Sequence, residues 1–301
     1  MIEFDIVIPI YNVAEDFLRP CLDSVKNQTN QNWNAWIVDS TPESHELMLN
    51  DYLSDTRFHR VLQDPQGISA ARNEGMMQGN APFIAFLDGD DYWYETHLEW
   101  MEEVIEDDSS RTALWFTAAD SEITLTFLKS GETHTTTGVA NHHADFNNLR
   151  PEDSYWFIWG NPPMLSNSVV RRSRYLESGG FDTKLTIGED TEFVLRLCGD
   201  PRKNGGESVC SIQQINAVSG YHSVGVHQTT KSGTQSPRTA TLTPKEATAR
   251  LSIEQRWFSE NHPPISEDDR PGSVSDEYWN WLKTKSMSPF ATFDLLESNN
   301  R

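Results

Sequence analysis

Leu87-Asp88-Gly89-Asp90-Asp91 places three carboxylates directly after an apolar run at residues 83–87. A short apolar run of this kind predicts a buried strand, and ligands bind beyond the carboxyl ends of strands in open α/β sheets. Carboxylates this close repel one another, so they favour a bound cation or a raised pKa. Oxygen ligands suit Mg²⁺ or Mn²⁺, which also bind substrate phosphates. Taken alone, the cluster is equally consistent with an acidic turn that caps the next helix.

Polar residues also lie at the ends of the other predicted strands. Asn12 follows the first apolar run, Asp39 follows the second, and Arg72 lies in the stretch 71–75 ahead of the acidic strand. An Asp after a strand can hold a ribose or a base, and an Arg can pair with a diphosphate. Each residue alone is more often a turn residue or a surface charge. Their convergence on one sheet edge predicts a nucleotide-binding crevice.

A second acidic pair, Glu189 and Asp190, follows Gly188 at the predicted start of an amphipathic helix. Carboxylates gain stability there from the helix dipole, so helix capping is one interpretation. The other is general-base catalysis, in which a carboxylate takes the proton from an attacking hydroxyl. On that interpretation Asp190 faces the acceptor, while Glu189 contacts acceptor hydroxyls or supports the loop.

Two histidines are further candidates. His222 and His227 follow the acidic pair in sequence, and a histidine from this region can complete a metal shell or contact a diphosphate. A surface or core histidine is the commoner role. We predict no metal site at His142-His143, because adjacent side chains diverge in a strand.

Three aromatic residues and an amide precede the acidic pair, at Trp156, Phe157, Trp159 and Asn161. Aromatic rings stack on sugar faces and amides hydrogen-bond hydroxyls, so an acceptor platform is one prediction. Core packing explains the same residues equally well. Further on, the Thr/Ser/Pro/Gly-rich stretch 228–243, with Lys231, predicts a mobile loop that closes over a ligand.

Strand-like runs alternate with helical patterns along the first hundred residues. The runs cover residues 6–10, 35–38, 58–62 and 83–87, and the helical patterns cover 17–25, 47–53 and 68–77. This alternation is typical of a doubly wound α/β sheet. Residues 113–137 then predict a hairpin with its turn at 129–132, and two helical stretches near the end cover about 244–260 and 276–285.

Composition restricts the class of partner. The 301 residues carry a formal net charge of −21, which repels nucleic-acid phosphates and anionic lipid. An anionic ligand therefore needs positive charge at its site, and a divalent cation would supply it. Three widely spaced cysteines without a CxxC pair indicate free thiols in a reducing compartment. With no basic leader and no apolar run near ~20 residues, we expect a cytoplasmic protein without a membrane span.

Several stretches resemble glycosyltransferase family 2. They are IVIPIYN from residue 6, CLDSVKNQT from 21, WIVD from 36, GISAARNEG from 67, IAFLDGDDYW from 84, GGFD from 179 and GED from 188. The resemblance is close over residues 4–100 and good over 160–200, and the order and spacing of the motifs make it highly specific.

The resemblance implies a glycosyltransferase A fold, with a Rossmann-like, mainly parallel sheet flanked by helices, and an inverting transfer from a nucleotide-diphosphate sugar to a carbohydrate or other hydroxyl-bearing acceptor. The implied donor-binding positions are Pro9, Tyr11, Asn12, Asp39, Arg72, Asp88 and Gly89. Asp88 and Asp90 match the DxD motif, with Asp90, Asp88 and His227 as the expected ligands of Mn²⁺ or Mg²⁺. Asp190 matches the general base, accompanied by Glu189.

Two departures from the family pattern refine this expectation. Ser40 stands where the family often has a second acid that contacts the base, so the nucleotide is open and uridine diphosphate is the expected one. Processive members carry QxxRW before membrane helices, whereas Arg256-Trp257 is preceded by Ile253 at the Gln position. We therefore expect a non-processive enzyme.

We divide the chain into a catalytic domain, 1–230, and a flexible segment with a helical C-terminal extension, 231–301. Residues 1–100 form the expected nucleotide-sugar half and 101–230 the acceptor half. Two alternatives remain: a nucleotidyltransferase, or a non-catalytic nucleotide-sugar-binding module. The first normally has a Gly-rich phosphate loop after the first strand, which residues 9–12 lack. The second has no need of a base such as Asp190.

Overall fold

The computed structural model describes residues 2–41, 45–108, 111–126, 133–140, 154–158, 162–185, 188–204 and 208–224, with residues 266, 268, 276, 279 and 280. In these ranges the elements, in chain order, are β1 (Phe4–Ile10), α1 (Glu15–Lys26), β2 (Trp33–Asp39), α2 (Glu46–Leu53), β3 (Phe58–Leu62), α3 (Ile68–Gln78), β4 (Phe83–Phe86), β5 (Tyr92–Trp93), α4 (His97–Glu106), β6 (Thr112–Thr126), β7 (Thr133–Ala140), α5 (Ser154–Ile158), β8 (Ser168–Arg171), α6 (Arg172–Ser178), α7 (Glu189–Cys198) and β9 (Ser211–Val224). Short 3₁₀ turns lie at Leu165–Asn167 and Pro201–Lys203.

One mixed sheet runs through these elements in the order β3-β2-β1-β4-β8-β6-β9-β5, and β7 pairs with β6. The first four strands are mutually parallel, and β6 and β9 are parallel to each other. The remaining pairs are antiparallel. The predicted α/β class is therefore confirmed, as is the predicted hairpin, which forms between β6 and β7.

The central strands are apolar because both faces of the sheet are covered. Every residue of β1 is buried, and its side chains alternate between two core clusters. Val7 belongs to one cluster, and Ile6 and Ile8 belong to the other. This arrangement explains why β1 has a continuous apolar run in sequence, as parallel strands covered on both faces do.

The chain changes direction in the sheet at β1. It runs outward from β1 to β2 and β3, then returns through α3 to form β4 on the other side of β1. Neighbouring connections that leave in opposite directions open a crevice at the carboxyl ends of the strands. The ends of β1 and β4 lie at this switch point, and the acidic cluster follows β4.

The sequence-based boundaries differ from the observed ones by small amounts. β4 ends at Phe86, and Leu87 continues the ladder only through its N–H, which donates to the Val7 carbonyl (3.1 Å). The segment 231–301 lies almost entirely outside the described residues, so its helices stay a prediction. Among the five residues of this segment that are described, Trp279 is fully buried in the core cluster that contains Tyr155 and Phe193. None of the helices described is long and apolar enough to cross a membrane.

Candidate active site

The turn after β4 is fixed tightly against the end of β1. A Cβ on Gly89 would lie 2.8 Å from Cγ2 of Ile10, closer than any side chain tolerates. The Asp91 N–H donates to the Asp88 carbonyl (3.0 Å), and the Asp88 N–H donates to Oγ of Ser166 (2.8 Å). Any larger residue between the acids would force Ile10 to shift, so glycine fits this position and the acidic turn has a defined place at the switch point.

Arg72 joins the two acidic motifs of the sequence. Its Nη2 donates to both carboxylate oxygens of Asp88 (2.9 and 3.1 Å), and its Nη1 donates to Oε1 of Glu189 (3.2 Å). The Arg72 side chain is only 3% exposed, and its guanidinium also lies over the ring of Phe181. The predicted donor half and the predicted acceptor half thus meet at one buried cation.

The electrostatics of Arg72 follow from its neighbours. Burial alone lowers the pKa of a guanidinium, but the charges of Asp88, Glu189 and Asp190 outweigh burial, so the pKa of Arg72 is raised. The group is therefore a permanent positive charge beneath the acids. This cation lies between Asp88 and Glu189 and offsets the repulsion between their negative charges.

Asp190 lies at the second position of α7, after Gly188 in the left-handed conformation (φ 72°). Its Oδ1 accepts a hydrogen bond from the Thr191 N–H (2.7 Å), and the side chain is half-buried. The Asp190 charge acts on Arg72, so both acids of the pair lie near the guanidinium. Glu189 bonds to Arg72, and the roles expected for it, contact with acceptor hydroxyls or support of the loop, stay predictions.

Asp39 ends β2 with its carboxylate completely buried. Oδ1 accepts from the Thr41 N–H (2.8 Å), and Oδ2 accepts from Nε and Nη2 of Arg60 (3.1 and 2.7 Å). The Asn12 N–H donates to Oγ1 of Thr41 (2.8 Å), and Asn12 has φ 50°, which Asn tolerates well. These bonds tie the ends of β1, β2 and β3 together.

Among the histidines in the described ranges, His222 on β9 contacts the acidic turn. Its Nδ1 lies 3.0 Å from Oδ2 of Asp91, which is 1% exposed. Burial lowers the pKa of His222, but the Asp91 hydrogen bond and the charges of Asp91, Asp88 and Asp90 prevail and raise it.

The donor set is compatible with a magnesium-type ion. Within the ranges described, no group of three or more His, Cys, Asp or Glu side chains is arranged to hold a metal by itself. Mg²⁺ is commonly bound by one or two carboxylates together with substrate phosphates. Asp90 is half-buried beside Asp88, so these two carboxylates fit that mode.

The remaining predicted site residues lie either at the switch point or outside the described part of the chain. Pro9 is the penultimate residue of β1, and Tyr11 follows that strand half-buried, so both lie at the switch point. The residues outside are His142, His143, Trp159, Asn161, His227 and Lys231, and the side chains of Trp156 and Phe157 are likewise not described. The acceptor platform and the loop closure stay predictions.

Three further residues shape the site, although the sequence predicted no role in it for any of them. Arg60 holds Asp39, Ser166 holds the backbone of Asp88, and Cys21 lies with Sγ 3.6 Å from the Asp88 carbonyl. Burial, followed by the charges of Asp91, Asp90 and Asp88, raises the pKa of the Cys21 thiol, so it stays protonated. Arg60 follows the β-strand pattern of its segment, and Ser166 lies 78 residues from Asp88, so neither carried a local signal.

Comparison with known proteins finds relatives that are named as glycosyltransferases. EpsH of Bacillus subtilis is 30% identical over 139 residues, which is 43% of this chain and 40% of EpsH. The glycosyltransferase GlyA of Streptococcus pneumoniae is 35% identical over 96 residues, 31% of this chain and 14% of GlyA. The matched stretch thus spans less than half the length of these relatives.

Solved structures share the fold. Staphylococcus aureus TarS residues 1–349 in complex with UDP-GlcNAc has a TM-score of 0.60 at 14% identity, covering 95% of this chain and 72% of that one. A sequence profile of glycosyl transferase family 2 matches residues 5–157, which include β1 to β4 and the acidic turn. This chain belongs to glycosyl transferase family 2.

Proposed function

We propose that the protein is an inverting, non-processive glycosyltransferase that moves a sugar from a nucleotide-diphosphate sugar, a UDP-sugar first of all, to an acceptor hydroxyl. The observation that carries the proposal is the Arg72 bridge. It brings Asp88, after β4, and Glu189, beside Asp190, into one crevice at the switch point of the sheet. The TarS complexes with UDP-GlcNAc and with UDP support the choice of donor class.

The proposed reaction is a single displacement with Asp190 as the base. The Asp190 carboxylate takes the acceptor hydroxyl proton while that oxygen bonds to the anomeric carbon. The bond from this carbon to the diphosphate oxygen breaks, and its electron pair leaves with the nucleoside diphosphate. Attack from the opposite face inverts the anomeric configuration. Mn²⁺ or Mg²⁺ on Asp90 and Asp88 would supply positive charge that stabilises the diphosphate.

Asp190→Asn tests the assignment of the base. General-base assistance contributes roughly 10²–10⁴-fold to rate, so we expect turnover to fall by about that factor while donor affinity stays nearly unchanged. The measurement pairs an assay of UDP release in the presence of candidate acceptors with calorimetric titration of UDP. Loss of donor binding in this variant would assign Asp190 to the donor site instead.

Asp90→Ala is the matched variant for the metal. We expect it to weaken UDP binding by about tenfold or more in the presence of Mn²⁺, and to leave binding measured in EDTA unchanged, because only the metal-bridged part is removed. Equal binding by wild type in Mn²⁺ and in EDTA would contradict the metal proposal. Turnover that releases pyrophosphate from a nucleoside triphosphate would indicate a nucleotidyltransferase.

A further inference from the structure

Asn73, the neighbour of Arg72 in α3, holds the backbone of the turn that follows α6. Its Nδ2 donates to the Phe181 carbonyl (2.9 Å), and its Oδ1 accepts from the Phe181 N–H (2.9 Å). The Tyr175 hydroxyl donates to the same Oδ1. One amide side chain therefore satisfies both backbone groups of a residue 108 positions away in sequence.

The turn from Gly179 to Phe181 is shaped to approach Asn73 closely. Gly179 and Gly180 both have left-handed backbone conformations (φ 84° and 74°), which glycine adopts without strain. A Cβ on Gly180 would lie 2.8 Å from Oδ1 of Asn73, whereas a Cβ on Gly179 would have no atom within 4 Å. A side chain at position 180 would therefore force the Asn73 amide to move, and one at position 179 would not.

The same turn packs against α7, whose second residue is the proposed base. The ring centroids of Phe181 and Phe193 on α7 are 4.3 Å apart, and Nη2 of Arg196 on α7 donates to the Gly180 carbonyl (2.7 Å). On its other side, the Phe181 ring centroid lies 5.4 Å from Cζ of Arg72. Phe181 thus connects the Arg72 bridge to the helix that presents the base.

We propose that Asn73 is a positioning residue that sets the place of Asp190 relative to the donor. In the proposed function, on which this inference rests, Asp190 is the base. The bonds of Asn73 join α3 to the turn, and the contacts of the turn join it to α7. A displacement of about 1 Å at a reacting group costs up to about 10²-fold in rate, so Asn73 acts on turnover through the placement of Asp190.

Asn73→Ala removes the three hydrogen bonds of the amide and leaves the side chains of the Arg72 bridge unchanged. We expect kcat to fall by about 10- to 100-fold, while the Kd of UDP, from calorimetric titration in Mn²⁺, stays within about twofold of the wild-type value. Tyr175→Phe is the matched control, because it removes one bond to Asn73 and keeps both bonds to Phe181, so its kcat should equal that of the wild type. Unchanged kcat in Asn73→Ala would overturn the inference, and so would an equal loss in Tyr175→Phe.

Gly180→Ala disturbs the same contact from the side of the turn and does not depend on the folding of Asn73→Ala. The added methyl group displaces the Asn73 amide, so kcat should fall by about tenfold. Gly179→Ala introduces comparable backbone strain without approaching Asn73, so its kcat should stay within about twofold of the wild-type value. Equal losses in the two glycine variants would show that strain in the turn lowers turnover, and would overturn the assignment of Asn73.

A double-mutant cycle separates positioning of the base from a general loss of stability. The effect of Asn73→Ala on UDP release with candidate acceptors is measured in the wild type and in Asp190→Asn. With the base removed there is no base to position, so the loss should shrink to about twofold or less in the Asp190→Asn background. The same factor in both backgrounds would reject Asn73 as a positioning residue. A wild-type rate in Asp190→Asn alone would instead reject the proposed function.

Discussion

At the scale of single residues, Arg72 connects the two acidic motifs of the candidate site. It is 3% exposed and bonds to Asp88 and Glu189, so its removal leaves two carboxylates without their shared cation. We expect Arg72→Met to lower the free energy of unfolding by about 3 kcal/mol, the loss typical of a broken buried pair. Urea denaturation measures this value.

Arg57→Met is the control for that measurement. Arg57 and Asp55 form a comparable ion pair with side chains 27% and 25% exposed, so solvent screens the interaction. Its removal should lower the free energy of unfolding by about 1 kcal/mol or less. Equal losses in the two variants would show that burial does not make the Arg72 bridge special.

His97 gives the stability of the protein a pH dependence. It stacks on Trp93 and bonds through Nδ1 to Oγ of Ser219 (2.6 Å), and burial lowers its pKa from 6.5 to about 3. Below pH 6.5 the unfolded chain takes up a proton that the folded chain refuses, so stability falls as pH decreases toward 3.

Between pH 7 and pH 5.5, we therefore expect the free energy of unfolding of the wild type to fall by about 1 kcal/mol more than that of His97→Gln. The comparison is between slopes, because the substitution also lowers stability at every pH through lost packing. Urea denaturation of both proteins across this range provides the slopes. Parallel slopes would mean that folded His97 accepts a proton.

At the scale of elements, α3 packs unusually close to the sheet. A Cβ on Gly75 would lie 2.6 Å from Cγ1 of Val7 and 3.0 Å from Cγ2 of Val38. Gly75→Ala should therefore destabilise the protein by about 1–3 kcal/mol through overpacking, although Ala is the better helix former. Thermal unfolding tests this, with Met77→Ala at a 68% exposed position of α3 as the control. A rise in melting temperature would show that Val7 in β1 and Val38 in β2 can shift to accommodate the added methyl group at little cost in stability.

The same elements show which parts of the fold were predictable. β1, β2, β4, α1 and α2 follow from local periodicity, because each buries a continuous or regularly spaced apolar face. α3 and β3 are less regular, since the buried face of α3 includes Ser69 and Arg72 and β3 buries only Phe58. The later strand order does not, since β8 has four residues and pairs antiparallel with both β4 and β6. Motifs placed Asp88 and Glu189 as candidates, but their joint bond to Arg72 spans up to 117 residues of sequence. No spacing rule connects such positions.

At the scale of the whole molecule, charge opposes the proposed ligand. The net charge of −21 repels an anionic nucleotide sugar over distances set by ionic strength, about 30 Å at 0.01 M and 8 Å at 0.15 M. We expect the association rate constant for UDP, followed by stopped-flow tryptophan fluorescence, to rise about threefold between these salt concentrations. A rate that falls with added salt would show that local positive charge governs the approach.

The β4–β8 ladder has a mechanical consequence for the enzyme. β8 pairs antiparallel with β4, from Phe83 with Arg171 to Phe86 with Ser168, and it also pairs with β6. β8 thus joins the parallel strands β1 to β4 to the strands β6 and β9. Because this ladder makes the two halves one continuous sheet, they cannot swing apart like the jaws of a hinged clamp without breaking backbone hydrogen bonds. We therefore expect the entry and exit of substrates to depend on the connecting loops.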